Sequence, residues 1–265
     1  MEKSGATRLA RLYQHDPMRV LFPTPDPGDA ALAVLVTTSG GLVAGDCISI
    51  DVRAGPATVA HVATSAAEKV YRSTGATTEI ALSVSVGKGA WVEYVPQEMI
   101  LFDGARVRRH TAVDVAIGGW FLGGGMIVFG RRARGERFTY GLLHEQIEVQ
   151  RCGRLVWGDA LHLAGDVARL MAAPACFDSA AACATLILAP PYGDPDRFVE
   201  PARGVQQRSV APELRGGVTA VNGLVVARWL ADEPAALRRA FADLACHWRQ
   251  TAFGLPPHLP RVWHT

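Results

Sequence analysis

The sequence of 265 residues is 49% apolar and 20% charged, which provides for a sizeable core and excludes an intrinsically disordered chain. Its net charge of +2, without a run of interleaved basic and aromatic residues, argues against nucleic acid as a partner. No apolar stretch approaches the roughly 20 residues that span a bilayer, so no membrane association is expected. The N-terminus from Met1 to Val20 is polar and basic, and the five cysteines are scattered, which predicts a cytoplasmic protein.

Alternation of apolar and polar residues with a period of two predicts a β-rich body from about residue 30 to residue 165. The clearest runs are Ile48–Val52, Ile80–Val86, Val107–Val115 and Ile147–Val149. Turn signals separate them at Gly55-Pro56, Gly87–Gly89, Gly118-Gly119 and Cys152-Gly153. Many strands with short connections indicate a mainly β architecture, and the pattern leaves both a sandwich and a coiled stack of sheets open.

The last part of the chain, about residues 166–265, mixes strands with about two helices. Apolar residues at helical spacing predict a helix from Pro234 to Phe253, in which Trp248 is the largest core residue. The residues predicted to face outward on this helix are Arg238, Arg239, Asp243 and Arg249.

A second helix is predicted between Asp196 and Gln207, although Pro201 would remove a hydrogen bond from a helix interior. Strands are expected at Ala184–Leu188 and across Val218–Leu230, and Pro190–Pro195 reads as a surface connection. Because nothing marks a long linker, residues 1–265 are predicted to form a single domain.

A glycine-rich stretch, Ser39–Asp46, precedes a strand. Its backbone N–H groups could face an anion, but no Lys-Ser/Thr pair follows as in a P-loop, and a tight turn between strands is favoured. Asp46 is expected either to orient this turn through its side chain or to present a carboxylate to a cation.

The segment Thr64–Ser73 gathers hydroxyls, an acid, two bases and a phenol within ten residues. A catalytic serine would need a positioned base, and the segment contains no histidine. The interpretation that we favour is a solvated or interface surface, in which Glu68 and Lys69 neutralise each other.

Other carboxylates lie in apolar surroundings, at Glu93, Glu98, Asp103 and Asp159. They could perform acid–base chemistry or bind a cation, or they could be exposed strand residues.

The histidines show no HxH or HxxxH spacing, so each is interpreted as structural or as a surface residue rather than a metal ligand. These histidines are His61, His110, His144 and His162.

Seven segments together resemble the UreD family, also called UreH, in one order along nearly the whole chain. They are Gly40–Asp46, Lys69–Ser73, Trp91–Glu98, Phe102–Ala105, Phe129–Arg131, Gly135–Phe138 and Pro260–Thr265. The resemblance implies a mainly β, β-helix-like fold of stacked and coiled sheets with about two α-helices. It also implies a non-catalytic urease maturation factor, which bridges the urease structural subunits and the UreF–UreG GTPase module and assists nickel insertion without a tightly bound cofactor.

The resemblance also suggests residues for these roles. Asp46 and Asp159 match acidic positions of the family and are the candidates for a transient Ni²⁺ route. Gly125 stands where members carry an acid, and Ala44 stands where they carry glycine, so altered nickel handling is expected. The motif and interface candidates are Glu68, Lys69, Tyr71, Arg72, Glu93, Glu98, Asp103, Arg131 and Glu136.

Two other functions compete with the maturation scaffold. One is an adaptor that binds proteins without handling metal. The other is a hydrolase or transferase that uses the segment Thr64–Ser73, which is weakened by the absence of a nucleophile, base and orienting group within one segment.

Overall fold

The computed structural model describes residues 6–191, 193–208 and 213–264. Predictions that involve residues 1–5, Tyr192 and Thr265 therefore lie outside the described residues. In the described chain the strands are β1 (Met18–Leu21), β2 (Ala31–Thr37), β3 (Cys47–Ala54), β4 (Val59–Thr64), β5 (Glu68–Val70), β6 (Thr78–Val86), β7 (Trp91–Tyr94), β8 (Met99–Leu101), β9 (Arg106–Val115), β10 (Trp120–Phe129), β11 (Tyr140–Arg151), β12 (Arg154–Asp166), β13 (Ala182–Ala189), β14 (Leu214–Val221) and β15 (Leu224–Ala231). The α-helices are α1 (Val167–Ala172), α2 (Val199–Arg208) and α3 (Pro234–Phe253).

The chain coils between two sheets. Sheet A has the order β1-β2-β4-β7-β10-β13-β15-β14, with β5 and β8 branching from it, and sheet B has the order β12-β11-β9-β6-β3. The strands β2, β4, β7 and β10 are parallel neighbours in sheet A, as are β3, β6, β9 and β11 in sheet B. Each coil thus adds a strand to each sheet, which confirms the predicted mainly β fold of stacked, coiled sheets.

The two sheets differ in how their faces are covered, and this explains which strands show alternation. The clear period-two runs belong to the strands β3, β6, β9 and β11 of sheet B, whose inner side chains pack on sheet A while the outer ones meet solvent. Sheet A is covered by sheet B on one face and by α2 and α3 on the other. Its central strands are therefore apolar on both faces.

Helix α3 has the predicted bounds. Pro234 lies in its first turn, and Gly254, with a φ of 71°, ends it in the left-handed conformation. Trp248 is fully buried and Arg239 is exposed, as expected. The outward orientation predicted for Arg249 is wrong, because its side chain is fully buried and pairs with acidic residues.

The other helices complete the cover of the sheets. Helix α2 follows a 3-10 turn at Asp196–Phe198, so Pro201 lies in the first turn, where its missing N–H leaves no hydrogen bond unmade. Helix α1 was not predicted; it is a single short stretch capped by Asp166, which accepts from the backbone N–H of Arg169. Within the described ranges, no helix combines the length and apolarity needed to cross a membrane.

Sheet A is interrupted near its centre. Strand β7 pairs with the first half of β10 and strand β8 with the second half, so residues 95–98 lie outside both ladders. Strands β4 and β5 are separated in the same way by residues 65–67. A cavity of about 140 Å³ lies at this interruption between the two sheets, and its lining includes Glu68, Tyr94 and Arg109.

Candidate functional site

Four of the motif segments meet around one aromatic ring, Phe102. Tyr71 packs edge-on against it with ring centroids 4.9 Å apart, and the guanidinium carbon of Arg131 lies 4.1 Å from the ring centroid. Arg131 pairs with Glu136 at 2.5 Å. We define the motif cluster as Tyr71, Arg72, Phe102, Asp103, Arg131 and Glu136.

Hydrogen bonds fix the motif cluster to the start of β11. One carboxylate oxygen of Asp103 accepts from the backbone N–H of Thr139 at 2.7 Å and from its hydroxyl at 2.9 Å. The backbone N–H of Asp103 donates to Glu136 at 3.2 Å. The guanidinium of Arg72 lies over the Tyr140 ring, 5.7 Å from its centroid. The cluster is thus a partly exposed, internally paired surface.

The glycine-rich stretch is a turn between β2 and β3 that packs on this cluster. A Cβ atom on Gly41 would lie 2.6 Å from Cε2 of Tyr71 and 2.9 Å from the carbonyl oxygen of Lys69, so the close approach requires glycine. The hydroxyl of Tyr71 donates to the carbonyl of Gly40. Asp46 accepts from the backbone N–H of Val43 at 2.8 Å, so its carboxylate orients the turn.

Two hydroxyls of the segment Thr64–Ser73 form hydrogen bonds with backbone groups of neighbouring loops. The Thr64 hydroxyl oxygen accepts from the backbone N–H of Gln97 at 2.9 Å, and the Ser73 hydroxyl donates to the carbonyl of Ala76 at 2.5 Å. Lys69 is exposed, whereas Glu68 faces the cavity and accepts from the Thr37 hydroxyl at 2.5 Å. The segment therefore divides into a solvent side and an interior side.

Several ionisable side chains lie in the space between the two sheets. Burial raises the pKa of the Glu68 carboxyl, and the nearby charge of Asp46 raises it further, although the Thr37 hydrogen bond opposes the shift. Deeper inside, Nε of Arg109 donates to both carboxylate oxygens of Glu145, at 2.7 and 2.9 Å. Burial raises the pKa of the Glu145 carboxyl, while the charge of Arg109 opposes that shift.

These groups form the interior row, which we define as Asp46, Glu68, Tyr94, Arg109, Glu145 and Asp159. Glu68, Tyr94 and Arg109 line the cavity together, and Tyr94 lies close to the charges of Arg109, Glu145 and Glu68. Burial of charged groups between the sheets costs desolvation free energy, so these groups need partners or a task.

Asp159 of the interior row lies on the edge strand β12 opposite Ile147. It pairs with Arg228 of sheet A at 2.8 Å, and about a third of its side chain (34%) is exposed. Its charge contributes to the raised pKa of Glu145. Of the two sequence-predicted nickel carboxylates, Asp46 is thus near Glu68 and Asp159 near Glu145, and each has a protein partner.

Gly125 lies beside Arg109 of the interior row. A Cβ atom at this position would be 3.0 Å from Nη2 of Arg109. An acidic residue at position 125 would therefore contact the Arg109 guanidinium. Within the described residues of the interior row, Glu145 is the only acid that pairs with Arg109. Ala44 lies in the exposed part of the glycine-rich turn, outside the row.

Glu93 lies on the other face of sheet A, under helix α3, and is fully buried. Of the alternatives that the sequence leaves open for Glu93, an exposed strand residue is therefore ruled out. It accepts from Nε1 of Trp91 at 2.6 Å and from Nε of Arg249 at 2.9 Å, and it pairs with Nδ1 of His61 at 2.6 Å. Burial opposes ionisation of Glu93, but His61 and Arg249 lower its pKa overall.

Glu98 helps to fix the C-terminal segment. It pairs with Arg238 of α3 at 2.6 Å, and Arg238 also donates to the carbonyl of Trp263. Nε1 of Trp263 donates to the carbonyl of Val95 at 2.8 Å, and the Gln97 side chain donates to the carbonyl of Val262 at 2.8 Å. The motif segments Trp91–Glu98 and Pro260–His264 are thus packed on each other at the interruption of sheet A.

Comparison with known proteins agrees with this arrangement of motif segments. A family model described as "UreD urease accessory protein" matches residues 1–264. The chain belongs to the UreD family. It is 41% identical to a urease accessory protein UreD from Magnetococcus marinus, over 99% of this chain and 91% of the relative. It is 38% identical to urease accessory proteins UreD from Rhodopseudomonas palustris and Azorhizobium caulinodans, over 98% of this chain and 86% and 92% of those relatives. Membership of the UreD family places the chain in urease maturation.

Proposed function

We propose that this UreD-family chain is a non-catalytic scaffold of the cytoplasm, which bridges the urease structural subunits and the UreF–UreG GTPase module and assists nickel insertion. The observation that supports nickel handling is the interior row between the two sheets. A route for Ni²⁺ needs weak oxygen or nitrogen ligands at intervals, because a tight site would retain the ion. The carboxylates of Glu68 and Glu145 supply such oxygens near Tyr94, with Asp46 close to the first and Asp159 close to the second.

Arg109 is the electrostatic obstacle in this proposed route, because its fixed positive charge repels a divalent cation. Glu145 offsets that charge through its hydrogen bonds from Nε. Since the pKa values of Glu68 and Glu145 are raised, both carboxyls take up protons at a higher pH than exposed carboxyls do. Nickel transfer should accordingly weaken as the pH falls, because protons compete with Ni²⁺ for these oxygens.

Removal of the side-chain carboxylates of Asp46 and Asp159 tests the nickel route. Asp46→Ala combined with Asp159→Ala should lower the nickel content of co-expressed urease while leaving recovery of the complex with urease, UreF and UreG unchanged. The measurement is nickel per urease active site beside pull-down yield. Arg239→Ala, an exposed change on α3, is the control. Unchanged nickel loading in the double variant would leave these carboxylates with their structural roles toward Val43 and Arg228.

Gly125→Asp probes the surroundings of Arg109 in the same assay. A carboxylate beside Arg109 would add a second negative charge at the obstacle, so urease activation should stay equal or rise. A fall in activation, with the complex recovered in normal yield, would contradict the role that we give to Arg109. Loss of folded protein would show instead that the position is dry and packed, and circular dichroism distinguishes the two results.

An adaptor without metal handling is the second candidate. It is favoured by the protein partners that Asp46 and Asp159 already have. In that case the double variant would load nickel normally and pull-downs would still recover the complex. If the chain captured neither urease subunits nor UreF and UreG, the scaffold itself would be refuted.

Absence of catalysis is expected for the purified chain. It should neither hydrolyse GTP nor cleave urea. The hydroxyls of Thr64 and Ser73 form hydrogen bonds with backbone groups, and neither is paired with a general base in those contacts. The check is phosphate and ammonia release across the purification. An activity that follows the protein and is abolished by Ser65→Ala or Ser73→Ala would favour the hydrolase instead.

A further inference from the structure

The outer face of sheet B brings together two histidines that are 18 residues apart in the sequence. His144 on β11 and His162 on β12 are directly opposite each other in the antiparallel ladder. Their Nδ1 atoms are 3.3 Å apart and their ring centroids 5.4 Å apart. His162 is exposed and His144 is half-buried, so both imidazoles can be reached from solvent.

This separation suits two nitrogen ligands of one metal ion. With metal–nitrogen bonds of about 2.1 Å, two nitrogens 3.3 Å apart subtend about 100° at the ion, between the octahedral and tetrahedral angles. Imidazole nitrogen is a preferred ligand of nickel, copper and zinc, whereas magnesium and calcium prefer oxygen. The β-hairpin fixes both Cα positions, so little ordering is required when the ion binds.

We propose that His144 and His162 form a binding site for a divalent transition-metal ion, Ni²⁺ in particular, on the outer face of sheet B. In the described part of the chain no group of three or more histidine, cysteine, aspartate or glutamate side chains is arranged to hold a metal. Water must therefore complete the coordination, and the ion exchanges readily. Such a site holds nickel transiently rather than permanently.

The surroundings of the pair are compatible with a bound cation. Arg108 is beside His144 in the adjacent ladder, and its positive charge is offset by Glu79, which lies 3.3 Å from it. The pair adjoins an open hollow of about 480 Å³, whose lining includes His110, His144 and Gln146. This leaves room for the hydration shell that a two-histidine site retains.

The site differs from the interior row in position and in ligand type. The row lies between the sheets and offers carboxylate oxygens, whereas the histidine pair is on the opposite face of sheet B and offers nitrogens. Binding of Ni²⁺ by the purified chain is therefore independent of the proposed route and of urease itself.

Calorimetric titration of the purified full chain with Ni²⁺ tests the proposal. His144→Gln and His162→Gln should each weaken the site about tenfold or more, since each removes one of two protein ligands. His110→Gln is the matched control, because His110 is exposed on the same face but its Nε2 is directed at Glu148, 3.5 Å away. The combination of Asp46→Ala and Asp159→Ala should retain the site.

Broadening of imidazole signals by Ni²⁺ provides a second measurement, and it should be greatest for His144 and His162. The proposal is overturned if both single variants bind Ni²⁺ as the unchanged chain does, since the contact is then only a hydrogen bond between two imidazoles. Equal weakening by His110→Gln would also overturn it. Thermal unfolding should be alike for the three glutamine variants, which separates loss of a ligand from loss of the fold.

Discussion

Replacement of Trp248 by alanine is expected to lower the free energy of unfolding by about 3–5 kcal/mol, the cost of truncating a large buried aromatic side chain. The ring is fully buried between α3 and sheet A. Its indole N–H has no hydrogen-bond partner among the described residues, so the loss is one of packing and cavity formation. The measurement is urea unfolding followed by tryptophan fluorescence and circular dichroism.

Arg239→Ala is the control for this change, because Arg239 lies on the exposed face of the same helix. It should alter the free energy of unfolding by less than about 0.5 kcal/mol. Equally small effects from both substitutions would show that α3 does not pack on sheet A through the face that contains Trp248.

Arg249→Met is the second change with a large expected effect, about 3–5 kcal/mol of destabilisation. It leaves the carboxylates of Glu93 and Asp29 without the guanidinium that both contact in the interior. Arg239→Met introduces the same side chain at an exposed position of α3 and should be nearly neutral. Adding Glu93→Gln to Arg249→Met should recover part of the loss, because one uncompensated negative charge is then removed.

The pH dependence of the Arg249→Met variant provides an independent check. Since the pKa of Glu93 is lowered in the folded chain, its ionisation stabilises the fold at neutral pH. That contribution is lost as the pH falls from the ordinary carboxyl range through the lower, folded pKa. Without Arg249 the pKa of Glu93 should rise, so acid unfolding should begin at a higher pH. An unchanged acid transition would show that Arg249 does not set the ionisation of Glu93.

The sequence predicts sheet B better than sheet A, for a physical reason. Alternation marks strands with one solvated face, and the runs at Ile48–Val52 and Ile80–Val86 belong to such strands. The central strands of sheet A are covered on both faces, so a buried strand such as Trp120–Phe129 lacks that signal. Helix α3 was predicted to the residue because Pro234 and Gly254 mark both its ends.

The charged residues of the core could not be predicted from local patterns. Arg249 follows the buried Trp248, and its helical position predicts an outward side chain. Its side chain is buried instead, because it pairs with Glu93 and Asp29 from distant segments. The same applies to the candidate site. Motif order predicted the family, but the gathering of Tyr71, Phe102 and Arg131 depends on how the coils stack.

The histidine pair shows a similar limit of local reasoning. His144 and His162 have no ligand spacing along the chain, and only the register of β11 against β12 places them opposite each other. A sequence signal did exist, since the two strands form one long hairpin around Cys152-Gly153. Pairing residues outward from that turn predicts that His144 and His162 lie near each other. The bulge at Val149/Gln150 shifts the pairing register.

The position of α3 at the end of the chain has a consequence for synthesis. The strands that contribute Trp91, Leu122 and Met126 to the outer face of sheet A are complete once β10 has emerged from the ribosome, but helix α3, which covers these residues, arrives with residues 234–264. During that interval the nascent chain presents a broad apolar surface to the cell. Premature termination before α3 should therefore yield aggregated or degraded fragments rather than a smaller folded protein.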